Sequence, residues 1–225
     1  MNISNFLLFS ALFFATHGDM WAMEVESKAT EREFEEKHQD QGGRCLVDDQ
    51  GNTLLHKAAA QGKLKSVKRY IQMGVPVDAK NVVGEMPFDL AKKARHGGVC
   101  KFLKANLDLL KFAYDGNFYG VKRALKAGAD PNVRNRAGNT PLLGIAQIGT
   151  AEEVRYLLDA GARFNDVNSA NRTPLFLAAC IGNVGVVRQL LAAGADKTIV
   201  DENGQTALDI ARKNGRKRTA ALLEG

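Results

Sequence analysis

The sequence predicts an all-α solenoid of stacked helix pairs joined by short β-hairpin turns, and two sets of observations carry that prediction. Glycines recur at a fixed long spacing: Gly116, Gly149, Gly182 and Gly215 form one series, and Gly128, Gly161 and Gly194 another. Thr140-Pro141-Leu142 returns as Thr173-Pro174-Leu175 and again as Thr206-Ala207-Leu208. Residues about 33 positions apart share neither a helix face nor a strand, so the period marks a unit that is copied and stacked.

The segment Asn168 to Val200 shows what one unit encodes. Asn168 to Asn171 is a cluster of turn formers. Thr173 stands where a helix begins, with a hydroxyl able to accept from an orphan amide of the first turn. Pro174 fits the first helical position, where its missing N–H costs nothing. Leu175, Ala178 and Ala179 are spaced for one buried face. Gly182 ends that helix, because glycine enters the left-handed region freely. A second helix follows from Val184 to Ala193 with Val186, Val187, Leu190 and Leu191 as its apolar stripe. Gly194-Ala195-Asp196 then turns the chain into the next hairpin. Such a unit cannot bury its apolar face alone and must stack on its copies.

These residues resemble the ankyrin repeat. The family's T-P-L-H-x-A-A signature is matched by Thr53 to Ala59 and by Thr173 to Ala179, and its G-A-D-x-N ending by Gly128 to Asn132, with Gly161 to Asn165 a looser copy. The resemblance implies units near 48–80, 81–105, 106–134, 135–167, 168–200 and 201–225 within a domain over 44–225. The third unit has lost its leading turn, about 12 residues of the period. The second and third units are therefore expected to pack by helices alone.

The ends differ from the repeats. Phe6 to Ala15 is an apolar run broken only by Ser10, too short for a bilayer core and suited to a secretory leader over 1–18 with cleavage near Gly18. This reading makes the protein secreted or periplasmic; a buried N-terminal helix in a cytoplasmic protein is the alternative. Residues 19–43 form a charged segment and linker. Glu24 with Lys28, Arg32 with Glu36 and Glu33 with Lys37 would support a solvated helix, although such a stretch has no face to bury and fits disorder equally.

The formal charge is +6. Residues 1–47 hold 4 Lys and Arg against 8 Asp and Glu, so the remainder holds 27 against 17, a net +10. The excess peaks at Arg212, Lys213 and Arg216 to Arg218. It reads as the polar cap a terminal unit requires, or as a field that favours an acidic partner. No aromatic residues interleave with these charges, so nucleic acid is not expected. Cys45, Cys100 and Cys180 make an odd set that requires no disulfide. Cys100 falls on an outer-helix stripe, and Cys180 at an inner-helix end.

The search for chemistry yields no enzyme, cofactor or metal site. The catalytic motifs that would mark hydrolase, metalloprotease or nucleotide chemistry are absent, and His17, His38, His56 and His96 are scattered. His56 occupies the family's signature position, which implies that its ring locks adjacent turns; Asp89 and Asp209 replace it elsewhere. What remains is surface. The resemblance implies that hairpin tips and exposed inner-helix ends line a concave, partner-binding face. By register those ends are Ala60-Gln61, Tyr114-Asp115, Gln147-Ile148, Cys180-Ile181 and Lys213-Asn214. Tyr114, Ile148 and Ile181 are the expected contact residues for a protein partner, with Arg136 and Arg172 at the rim. The competing expectation is that the isoleucines pack against the following unit. The chain is expected to be a monomer. A second reading places a small-molecule or catalytic site in the irregular region 92–110, where His96 and Cys100 would meet a carboxylate.

Overall fold

The computed structural model describes residues 47–225. The expected leader over 1–18, the charged segment and linker over 19–43, and Cys45 lie outside the described residues. Eleven helices are described: α1 (Leu54–Ala60), α2 (Leu64–Gln72), α3 (Pro87–Lys93), α4 (Gly97–Tyr114), α5 (Phe118–Lys126), α6 (Pro141–Ile148), α7 (Ala151–Asp159), α8 (Pro174–Ile181), α9 (Val184–Ala192), α10 (Ala207–Lys213) and α11 (Lys217–Glu224). Among the described residues there is no strand, and no helix is long and apolar enough to cross a membrane.

The inner helices start as the sequence dictates. Thr53, Thr140, Thr173 and Thr206 each accept a hydrogen bond from an amide of the first turn, and proline follows Thr140 and Thr173. The same inner faces stack on one another: α1 on α3, α4 on α6, α6 on α8 and α8 on α10. Leu55, Leu109, Leu142 and Leu175 are fully buried on these faces, as are Ala59, Ala113, Ala146 and Ala179. Small alanines allow the close approach, and the leucines supply most of the apolar area removed from water.

Each hairpin is built on one side chain. The Oδ1 atoms of Asp48, Asn81, Asn135, Asn168 and Asp201 accept from the backbone amides two and four residues onward. This closes the turn without any strand ladder. Three residues after each of these, the chain enters the left-handed region at Gly51, Gly84, Gly138, Asn171 and Gly204. Asparagine is the residue that best substitutes for glycine there. Neighbouring hairpins are tied by single backbone bonds, from Val82 N to Gln50 O, Ser169 N to Ala137 O and Glu202 N to Ala170 O.

The joint between the second and third units departs from expectation. No break separates the outer helix of the second unit from the inner helix of the third: α4 runs unbroken for 18 residues. With the hairpin missing, nothing in Ala105-Asn106-Leu107 stops a helix. Nor is the region closed by helices alone. Val77 N donates to Arg134 O at 2.9 Å, and Arg136 N to Asp78 Oδ1 at 2.7 Å, so the chain segments flanking the joint are hydrogen-bonded directly. Asn106 is buried in the middle of α4. Its Oδ1 accepts from Asp130 N at 2.9 Å while its Nδ2 donates to Phe102 O at 2.8 Å. In the regular units the corresponding amide, two residues past the glycine, finds a hairpin asparagine: Arg163 N donates to Asn132 Oδ1, and Asp196 N to Asn165 Oδ1. Asn106 thus supplies from a helix what the lost hairpin would have supplied.

Candidate functional site

The residue just before each inter-helix turn forms a column across the described units, occupied by Gln61, Ala94, Asp115, Ile148, Ile181 and Asn214, all exposed. The two isoleucines are 57% and 51% exposed, and their helices α6 and α8 are neighbours. Ile148 reaches back toward Gly116, whose Cβ, if present, would lie 3.6 Å from the isoleucine Cδ1. The following unit does not cover either side chain. Two apolar side chains therefore sit side by side in a column that is polar on both flanks.

Tyr114 does not join them. Its register matches Cys180 rather than Ile181, so it lies one position away from the exposed column. The ring rests on α6 at Gly144, where an added Cβ would come within 2.8 Å of it. The tyrosine is half-buried, its hydroxyl is inaccessible with no hydrogen-bond partner among the described residues, and burial pushes its pKa far above the ordinary tyrosine value of 10. It is a packing residue between units, not a free aromatic anchor.

The two arginines expected at the rim differ from each other. Arg136 is exposed at a hairpin tip. Arg172 is half-buried: its Nε lies 3.5 Å from Asp201 Oδ2, and its guanidinium stands 5.5 Å above the Phe176 ring. Asp201 is 4% exposed. Burial acts to raise its pKa, but the backbone amides of Gln205 and Asn203, with the arginine, hold it below the usual carboxylate value. Arg172 is therefore committed to the next hairpin. The cation beside the isoleucines is instead Arg216. Its side chain lies across Gly182, with Nε donating to Cys180 O at 3.2 Å. Asn214 Nδ2 donates to the same carbonyl and lies 3.2 Å from Cys180 Sγ. From sequence, Arg216 reads as part of the basic cap; the signal for its place here is a glycine in one unit facing a long side chain in the next.

The two described histidines, His56 and His96, have structural tasks. His56 is fully buried; Thr53 N donates to Nδ1 at 3.1 Å, and Nε2 meets Glu85 O at 3.0 Å. Desolvation lowers its pKa, against the opposing bond to Glu85. Asp89 and Asp209 in the same column accept from Met86 N and Thr206 N. His96 Nε2 meets Ala60 O at 3.0 Å and its ring covers Gly62. His96 is thereby tied to the first unit, and Cys100 packs against the core. The residues on which the small-molecule or catalytic reading rested do not converge.

A family model described as ankyrin repeats (3 copies) matches residues 109–201 and 171–224, and one described as a single ankyrin repeat matches 50–82. Residues 83–108, which include the first part of α4, lie between these matches.

Proposed function

Because the chain belongs to the ankyrin-repeat family, a family of protein-protein interaction modules, we propose that it is a non-enzymatic binding protein whose partner docks on the concave face over Ile148 and Ile181, outside the cytoplasm. The observation that carries this reading is the adjacent exposed isoleucine pair, flanked in its column by the polar Asp115 and Asn214. Rigid stacked units offer such a surface without needing a cavity. Arg216 lies beside it and Arg136 is exposed on a hairpin tip, both cations suited to an acidic rim on the partner, while Arg172 and Tyr114 shape the scaffold. Export rests on the apolar run from Phe6 to Ala15.

The test is the paired change Ile148→Asp with Ile181→Asp. Two carboxylates that a partner must desolvate should abolish its capture by the immobilised protein. Because both side chains are exposed, the thermal midpoint should stay within a few degrees. Capture that survives in the folded variant overturns the site. Intact mass of protein recovered outside the producing cells should correspond to a chain beginning near Asp19; a full-length chain confined to the cytoplasm overturns export.

A further inference from the structure

A second feature shares no residue with the isoleucine site. Along α4 and α5, Lys101, Lys104, Ala105, Asp108, Phe112, Arg123, Ala124 and Ala127 line a notch of about 180 Å³. Its floor is apolar: the alanines are small, and the Phe112 ring is fixed against Gly120, where an added Cβ would approach within 2.5 Å. Its rim is cationic. Lys101, Lys104 and Arg123 are exposed, and the single acid, Asp108, is paired with Lys104 at 3.3 Å. Arg123 stands 5.7 Å above the Phe112 ring, which orients its guanidinium beside the opening.

We infer that this notch docks a linear acidic peptide of a partner protein, one apolar side chain entering it and flanking carboxylates meeting Lys101, Lys104 and Arg123. Three considerations select this occupant. The volume is below the roughly 300 Å³ at which small-molecule pockets begin, and it suits a single side chain. The rim carries two net positive charges, which complement an acidic segment and not a basic one. Arg123 already covers the face of Phe112, the one aromatic ring in the notch, so a nucleic-acid base has no platform on which to stack. The notch exists because the period is broken here: α4 continues through the place where a hairpin belongs.

The probe is a set of fluorescein-labelled peptides of glutamate and serine with one central leucine, isoleucine or phenylalanine, alongside otherwise identical peptides with central alanine. Anisotropy with the full chain should show at least one apolar member binding with Kd below about 1 mM, and about tenfold more weakly when alanine replaces the apolar residue. Ala127→Trp, which fills the notch from an exposed position, should lower that affinity at least about tenfold, as should Lys101→Glu with Lys104→Glu, which leaves the floor intact. The Ile148→Asp with Ile181→Asp variant should bind as the wild type does, so failure at one site is distinguishable from failure at the other. No binding by any member overturns the inference. So does affinity indifferent to central alanine, and so does a charge-reversed variant that binds unchanged. Loss on charge reversal without loss in a folded Ala127→Trp protein reduces the effect to nonspecific attraction and overturns it equally.

Discussion

The stack from residue 135 onward and the stretch from 97 to 134 meet the same demand in different ways. Both must pair the amide that follows the turn-forming glycine. In the regular stack the amides of Arg163 and Asp196 find an asparagine on the preceding accessible hairpin, Asn132 or Asn165, where water can replace the acceptor. In the irregular stretch the acceptor is Asn106, fully buried in a helix. A hydrogen bond that water can replace contributes little on net, whereas a buried donor left unpaired costs its full desolvation. Losing a hairpin therefore moved one bond from the rim into the interior and raised what depends on it.

The largest expected effect tests that contrast. Asn106→Leu conserves approximate volume but strands Asp130 N and removes the bond to Phe102 O. It should destabilise the protein by about 3 kcal/mol, the upper end for a buried unpaired donor. Asn165→Leu deletes the equivalent acceptor at an exposed position and should cost under about 0.5 kcal/mol. Chemical denaturation of the two variants compares them directly. Equal losses would mean that burial does not distinguish the two joints.

Within the regular stack, tight packing is the sensitive feature. Ala178 is fully buried on α8, which packs between α6 and α10. Ala178→Leu must overpack that space, at about 1–3 kcal/mol, or on the order of 2–4 °C of thermal midpoint per kcal/mol. An unchanged midpoint would show that the regular stack yields more readily than the fully buried alanine column implies.

This contrast also marks what was legible in the sequence. The period placed the threonine caps, the buried leucines and alanines, and the hairpins at Asp48, Asn81, Asn135, Asn168 and Asp201. It did so because each unit repeats one local solution with local signals. It also exposed the missing segment near Asn106. It could not show that the chain would stay helical through the deletion, since that depends on nothing interrupting Ala105 to Leu107. Nor could it show that residues 77 and 78 would reach 134 and 136. For the candidate site, register alone found that Ile148 and Ile181 are exposed. Tyr114 was misjudged because its neighbour across the stack is Gly144, a vacancy the ring fills. Register puts Arg172 at the rim without its carboxylate partner, and reads Arg216 as part of the basic cap without its place across Gly182. Such choices belong to side chains meeting between units, where a one-unit pattern carries no information.

The smallest expected effect concerns the other buried lock. His56 joins the first two units as Asn106 joins the segments around α4, yet it can titrate. Nδ1 already receives the Thr53 amide, so a proton there would face a donor, and burial disfavours the charged ring. Its folded pKa lies below its ordinary value of 6.5. The unfolded chain therefore takes up the proton first as pH falls. The contribution of His56 is fully present above about pH 6.5 and is lost as pH falls through the folded pKa, with a slope of at most about 1.4 kcal/mol per pH unit. The corresponding carboxylate at Asp209 is held below its ordinary 3.8, first by the Thr206 hydroxyl, so its loss belongs to a separate, more acidic window. Thermal midpoints of the wild type and His56→Gln, followed from about pH 7.5 to about pH 5, should converge as pH falls. A constant difference across that range would show that the buried ring does not titrate with unfolding, and that the first joint behaves like the exposed ones.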